Sequence, residues 1–178
     1  MLADPRQSRI VLLNLARGSV AGESGASAVR CFEAQALLPI CRDLLGSQLI
    51  AFGEYRPGLF SAKVAAAIEH FQSEALSPWR DPAFAAHLAD ADVGIVFLGG
   101  VYLEEDVLIA AIEGARIGYE VRLLSDLAFA RREADRQIVV NRLAHHGILT
   151  TTVRQTLFEW AMAGDDRALM LRIQQLLS

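Results

Sequence analysis

Three consecutive carboxylates, Glu104, Glu105 and Asp106, stand where a strand hands over to a helix. Acids at such a place suit general-acid or nucleophilic work, and they equally suit the plain task of facing the positive end of a helix dipole. The run VGIVFLGG (Val93–Gly100) leads into them. It is short, β-branched and glycine-bounded, the pattern of a strand buried on both faces. Behind them Val107, Ile109, Ala110, Ile112 and Ala115 recur at helical spacing until Gly118, and YEVRLLSD opens the next strand. Strand, turn, helix and strand in that order put the turn at the carboxyl end of a parallel sheet, where open α/β proteins bind ligands.

Asn14 closes a first apolar run, RIVLLN, and by the same logic belongs at that end too. So do Gly53–Tyr55, Gly99–Tyr102 and Ser125–Asp126, which makes Tyr55, Trp79, Gly100, Tyr102 and Glu105 candidates for a pocket wall around Asn14 and Asp106. The glycines between Leu15 and Ser27 resemble a phosphate loop, but the lysine and hydroxyl that grip a nucleotide are missing, so the stretch reads as a loop. His70 and His87 are isolated, and His145 and His146 suit a helix C-terminus. No spacing suggests a metal, and no cofactor is expected.

The elements that must position these residues alternate from end to end. Strands are expected at Arg9–Asn14, Gln48–Tyr55, Val93–Gly100, after Gly118, and at Gly147–Thr151. Helices are expected over about 27–45, with Phe32, Ala36, Leu37, Ile40 and Leu44 inward and Pro39 kinking or breaking it. Others are predicted at Ser61–Phe71, Pro82–Ala89, Glu133–His146 and Val153–Ala163, with a last amphipathic helix over about 165–177. Ser73–Pro82 reads as loop around Trp79, with at most a short edge strand. Alternation of this kind predicts an α/β fold, a three-layer α/β/α sandwich on a mainly parallel, roughly six-stranded sheet with right-handed crossovers. A length of 178 residues predicts one domain, 1–178.

Composition excludes several roles. The net charge of −4 and the absence of a basic cluster argue against nucleic acid. The apolar fraction is high, 53%, yet no run approaches the length of a membrane span. The surplus suggests a well-filled core or a subunit interface, hence a homo-oligomer. MLADPRQSR does not read as a signal peptide, and two cysteines without metal spacing, Cys31 and Cys41, suit a reduced, cytoplasmic protein.

The segment from GYEVRLLSD through GILTTTVRQTLFEWA resembles the C-terminal half of the isochorismatase-like cysteine hydrolases, and LLPICRDL and GEYRPGLFSAKV resemble earlier family segments. The resemblance covers about Arg9–Phe158. It implies a six-stranded parallel sheet with Rossmann-type strand order, an oligomer, and a trio of Asp, Lys and Cys, with a non-proline cis peptide two residues past the glycine of the cysteine motif. This sequence departs at all three positions. Asn14 stands for the base Asp. SPWRDPAF (Ser77–Phe84) holds no lysine, and the sole lysine, Lys63, does not match the motif. GVYLEEDV (Gly100–Val107) puts Asp106 where the nucleophile belongs.

An amide accepts no proton at neutral pH, so the base is lost. The expected function is therefore that of a catalytically degenerate relative that binds a small molecule or serves assembly. The alternative is a divergent hydrolase of an amide, imide or vinyl ether using Asp106 as acid or nucleophile.

Overall fold

The computed structural model describes residues 2–17 and 26–178, with side chains of the first long helix described from residue 31. In chain order the elements are β1 (Ser8–Leu13), α1 (Ala26–Leu45), β2 (Gln48–Phe52), α2 (Ala62–Ala65), β3 (Ile68–Phe71), α3 (Pro82–Asp90) and β4 (Ile95–Val101). Then come α4 (Leu108–Arg116), β5 (Glu120–Phe129), α5 (Arg136–His145), β6 (Leu149–Thr151), α6 (Val153–Ala163) and α7 (Arg167–Leu176). The phosphate-loop reading falls on residues 18–25, which lie outside the described residues.

The six strands make one sheet in the order β3-β2-β1-β4-β5-β6, and every pairing is parallel. Alternation along each strand splits the core in two. Ile10 and Leu12 of β1, with Phe97 of β4, pack under α1, α6 and α7 around Leu38, Leu157 and Trp160. Val11 and Leu13, with Val96 and Leu98, pack under α3, α4 and α5 around Phe84, Ala111 and Leu143. Both faces are covered, which explains why the central strands read as unbroken apolar runs. Arg122 of β5 is buried and bonds Glu159 of α6 at 2.6 and 2.7 Å, tying sheet to helix by charge as well as packing.

Local chemistry sets the helix starts. Asp81 accepts the amides of Ala83 (2.9 Å) and Phe84 (3.0 Å), with Pro82 in the first turn of α3. Thr152 and Gln155 form a reciprocal capping box on α6. Asp166 caps α7.

Three expectations are corrected. The helix expected over Ser61–Phe71 stops at Ala65, and Ile68–Phe71 is the edge strand β3, paired with β2. Val64, Ala67, Ile68 and Phe71 have helical spacing, but a four-residue edge strand with one apolar residue on each face, Ile68 and Phe71, offers too little pattern to contradict it. The stretch around Trp79 is loop, as expected, with a 3-10 turn at Pro78–Arg80. In α1 the expected Leu37, Ile40 and Leu44 are half-buried against the core, but Ala36 is exposed and Phe32 is 75% exposed; the fully buried face is Cys31, Ala34, Leu38, Cys41 and Leu45, and the helix runs through Pro39 without a break. β2 also ends earlier than expected, at Phe52, and β5 runs on to Phe129.

Candidate functional site

The strand order reverses direction between β1 and β4, the place where an open parallel sheet leaves a crevice at its carboxyl end. β1 delivers Asn14 there, and β4 delivers Gly100 and the turn beyond it. The two strand ends run unusually close. A Cβ on Gly100 would lie 2.3 Å from the Leu13 carbonyl oxygen, and the residue has φ +128, so only glycine fits. The next peptide, Val101–Tyr102, is cis and not before proline, at the position the resemblance implies. A single π-helical turn, Leu103–Val107, then carries the three acids into α4.

Asn14 takes a left-handed conformation (φ 48) that turns its amide into the crevice. Its Oδ1 accepts the Glu54 backbone N–H at 3.1 Å. Gly53 lies so close that a Cβ there would sit 2.2 Å from that oxygen. With Oδ1 fixed, Nδ2 faces Asp106 and donates to its Oδ2 at 2.7 Å. The same Oδ2 accepts from the Arg17 guanidinium, whose Nε donates to Glu54 at 2.9 Å. Burial works against the charge on Arg17, but the hydrogen bond to Glu54 and the charges of Asp106, Glu54 and Glu105 outweigh it and hold its pKa above the usual value. The outcome is a closed set of four side chains. An amide and a guanidinium grip one carboxylate oxygen, and a second carboxylate anchors the guanidinium.

The other two acids of the triplet turn away from this set. Glu105 pairs with Arg131 (Nε at 3.1 Å, a terminal nitrogen at 3.0 Å), and Glu104 accepts the Arg131 backbone N–H at 2.9 Å. The Arg131 guanidinium lies 4.0 Å over the Tyr102 ring. Arg131 thus clamps the turn to the loop after β5. Asp126 accepts the Val153 N–H at the head of α6 at 3.0 Å, and burial pushes its carboxyl pKa up.

The structure brings Asn14, Gly100 and Asp106 together, with Tyr102 and Glu105 on the adjoining turn. Tyr55 sits toward the sheet edge, its ring 5.2 Å from His70 and its hydroxyl without a partner among the described residues. Trp79 lies elsewhere. Its indole N–H donates to the Ala110 carbonyl at 2.7 Å and its ring stacks on Tyr119 at 5.0 Å. Ala110 is four residues beyond Asp106, about 6 Å along the helix axis. Trp79 therefore packs against α4 about a turn beyond Asp106, on the buried side that faces Val121 of β5. Arg17 and Glu54 are the residues that sequence reasoning missed. The available signal was a cation three residues past Asn14, in a stretch read only for its glycines. Among the described residues, no cluster of three or more His, Cys, Asp or Glu side chains is placed to hold a metal ion.

No protein-family model matches the sequence, and no curated protein matches it. Solved structures match it by shape. MAR1 ribonuclease from Caenorhabditis elegans superposes with TM-score 0.79 over 99% of this chain and 92% of its own, at 19% identity. YcaC from Escherichia coli, an octameric hydrolase of unknown specificity, gives 0.78 over 97% and 89%, at 14% identity. An isochorismatase-like hydrolase from Alkaliphilus metalliredigens gives 0.64 over 86% and 97%, at 16% identity. The chain has the isochorismatase-like fold. In that isochorismatase-like frame, the crevice between β1 and β4 is occupied by an amide, a carboxylate and a guanidinium.

Proposed function

We propose that residues 1–178 form one isochorismatase-like domain that has given up hydrolysis and acts as a small-molecule-binding or assembly subunit. The observation that carries this reading is the 2.7 Å hydrogen bond from Asn14 to Asp106, with Arg17 on the same oxygen. Both donors meet on Oδ2, so the electron pairs that would attack a substrate are engaged on that oxygen. Asn14 has no proton-accepting capacity, and a guanidinium does not deprotonate near neutrality. The positions matched to the family's base, lysine and thiol therefore hold none of the three.

The second reading, a divergent hydrolase of an amide, imide or vinyl ether using Asp106, rests on one feature. Asp106 Oδ1 makes no hydrogen bond among the described residues, and a quarter of the side chain is exposed. For that oxygen to act, Arg17 and Asn14 would first have to release its twin. Assembly into a homo-oligomer in the cytoplasm, with a ligand at the carboxyl ends of the strands, completes the proposal. The octameric E. coli YcaC supports the oligomer.

The test is a panel of amides, hydroxamates and isochorismate assayed against the chain and its Asp106→Ala variant. Rates at the buffer background for both are expected. Turnover that disappears in Asp106→Ala would establish the second reading instead. A thermal-shift screen of the same compounds reports binding without turnover.

A further inference from the structure

At the opposite end of the sheet, a cleft of about 380 Å³ opens between the segment before β1, the end of α1 and the corner joining α6 to α7. That volume lies within the range of small-ligand sites. Its floor is apolar, with Leu45 and Trp160 buried and Leu44 and Leu169 half-buried. Its rim is charged, with Asp4, Arg6 and Asp166 exposed around it.

The balance of charge at this rim is negative. Asp4 accepts the Arg6 backbone N–H at 2.8 Å through Oδ1, and Asp166 accepts the Ala168 and Leu169 amides at 2.9 and 3.1 Å through Oδ1. The second oxygen of each makes no hydrogen bond among the described residues. α1 ends at Leu45 and α6 at Ala163, so two helix C-termini bring partial negative charge to the cleft. Against them stand the start of α7 and the Arg6 guanidinium, which makes no ion pair or hydrogen bond among the described residues. Two carboxylates and two helix C-termini outweigh one guanidinium and one helix N-terminus.

We propose that this cleft binds a small apolar amine. The hydrocarbon part lies on Leu44, Leu45 and Leu169, above the buried Trp160, and the ammonium sits at the rim formed by Asp4 and Asp166. The site is separate from the strand-end crevice, so it stands or falls independently of the function proposed above.

The test is a titration with 2-phenylethylammonium, using 2-phenylethanol and 3-phenylpropionate as neutral and anionic counterparts. Thermal shift on the unmodified chain reads binding, and Trp160 fluorescence in a Trp79→Phe background locates it. Saturable binding with Kd on the order of 1 mM is expected for the amine, weaker for the alcohol and weakest for the carboxylate. Asp4→Asn and Asp166→Asn keep their N-caps, because Asn caps as well as Asp. Each should weaken amine binding about two- to fivefold, as for other exposed charge pairs, and leave the alcohol unchanged. Arg6→Gln should tighten the amine. Equal affinity for all three probes, preference for the carboxylate, no saturation by about 20 mM, or indifference to both Asp→Asn changes would each overturn the proposal.

Discussion

Asn14→Asp probes the crevice most directly, because it places two carboxylates where an amide now donates to a carboxylate across 2.7 Å. With both ionised, their repulsion at an effective dielectric constant near 20 is about 6 kcal/mol. The alternative is to protonate one of them. For a carboxyl of ordinary pKa near 4, holding a proton at pH 7 costs about 4 kcal/mol. The cheaper route sets the ceiling, and Arg17 on the same oxygen lowers it further. A loss of about 2–4 kcal/mol at pH 7 is therefore expected. The sign with pH comes from the same route. The folded variant holds a proton with a raised pKa, so its stability is lost as pH rises through that value and regained on acidification. Denaturant unfolding at pH 7 and near pH 4.5 measures both points. The decisive control is the exchanged pair, Asn14→Asp with Asp106→Asn, which restores one donor facing one carboxylate and should recover most of the loss. A single variant within about 0.5 kcal/mol of the parent at pH 7, or an exchanged pair no more stable than the single, would refute the reasoning.

Arg17→Ala removes two partly exposed ion pairs, with Asp106 and Glu54, whose side chains are 25% and 53% exposed. A loss of about 1–1.5 kcal/mol is expected at low salt and less at high salt, read from melting in about 20 and 500 mM NaCl. Asp126→Asn keeps an acceptor for the Val153 N–H and removes a carboxylate whose pKa burial raises. The parent loses stability as pH rises from the ordinary carboxylate range through the raised value, so the variant should gain on the parent there and keep that gain at pH 8. A Cβ on Gly114 would come within 2.5 Å of the Trp79 ring. Gly114→Ala should therefore cost about 1–3 kcal/mol despite better helix propensity, and in a Trp79→Ala background most of that cost should disappear, the Val121 methyl at 3.0 Å remaining. Chemical denaturation of the four proteins decides it.

The parts of the fold that were legible in the sequence are those where pattern and boundary signals agree. α6 has the bounds expected, Val153–Ala163, because Thr152 and Gln155 mark its start and an apolar stripe fills it. β4 and the turn after it were legible for a similar reason, a β-branched run closed by two glycines. The inward face of α1 was legible only in part, with Leu37, Ile40 and Leu44 against the core and Phe32 and Ala36 exposed, because ALLPIC is apolar on every side and periodicity carries no phase where nearly every residue is apolar. β3 was missed because an edge strand has one hydrogen-bonded neighbour, and IEHF sets only two apolar residues against the sheet.

The crevice was legible to the extent that backbone register fixes it. Asn14 and Asp106 were placed by the ends of β1 and β4, and parallel pairing of Leu13 with Gly100 leaves those ends little freedom. Arg17 was not legible, because a long flexible side chain chooses its partners by charge, and these partners are 37 and 89 residues away. Yet Arg17 completes the electrostatics. Without it, Glu54 and Asp106 would crowd one crevice with no cation bonded to either, at a cost that a single amide donor from Asn14 does not offset. The three connections after β1, β2 and β4 are thus held to one another by charge as well as by packing. Any ligand entering between β1 and β4 must compete with contacts that the chain already makes with itself.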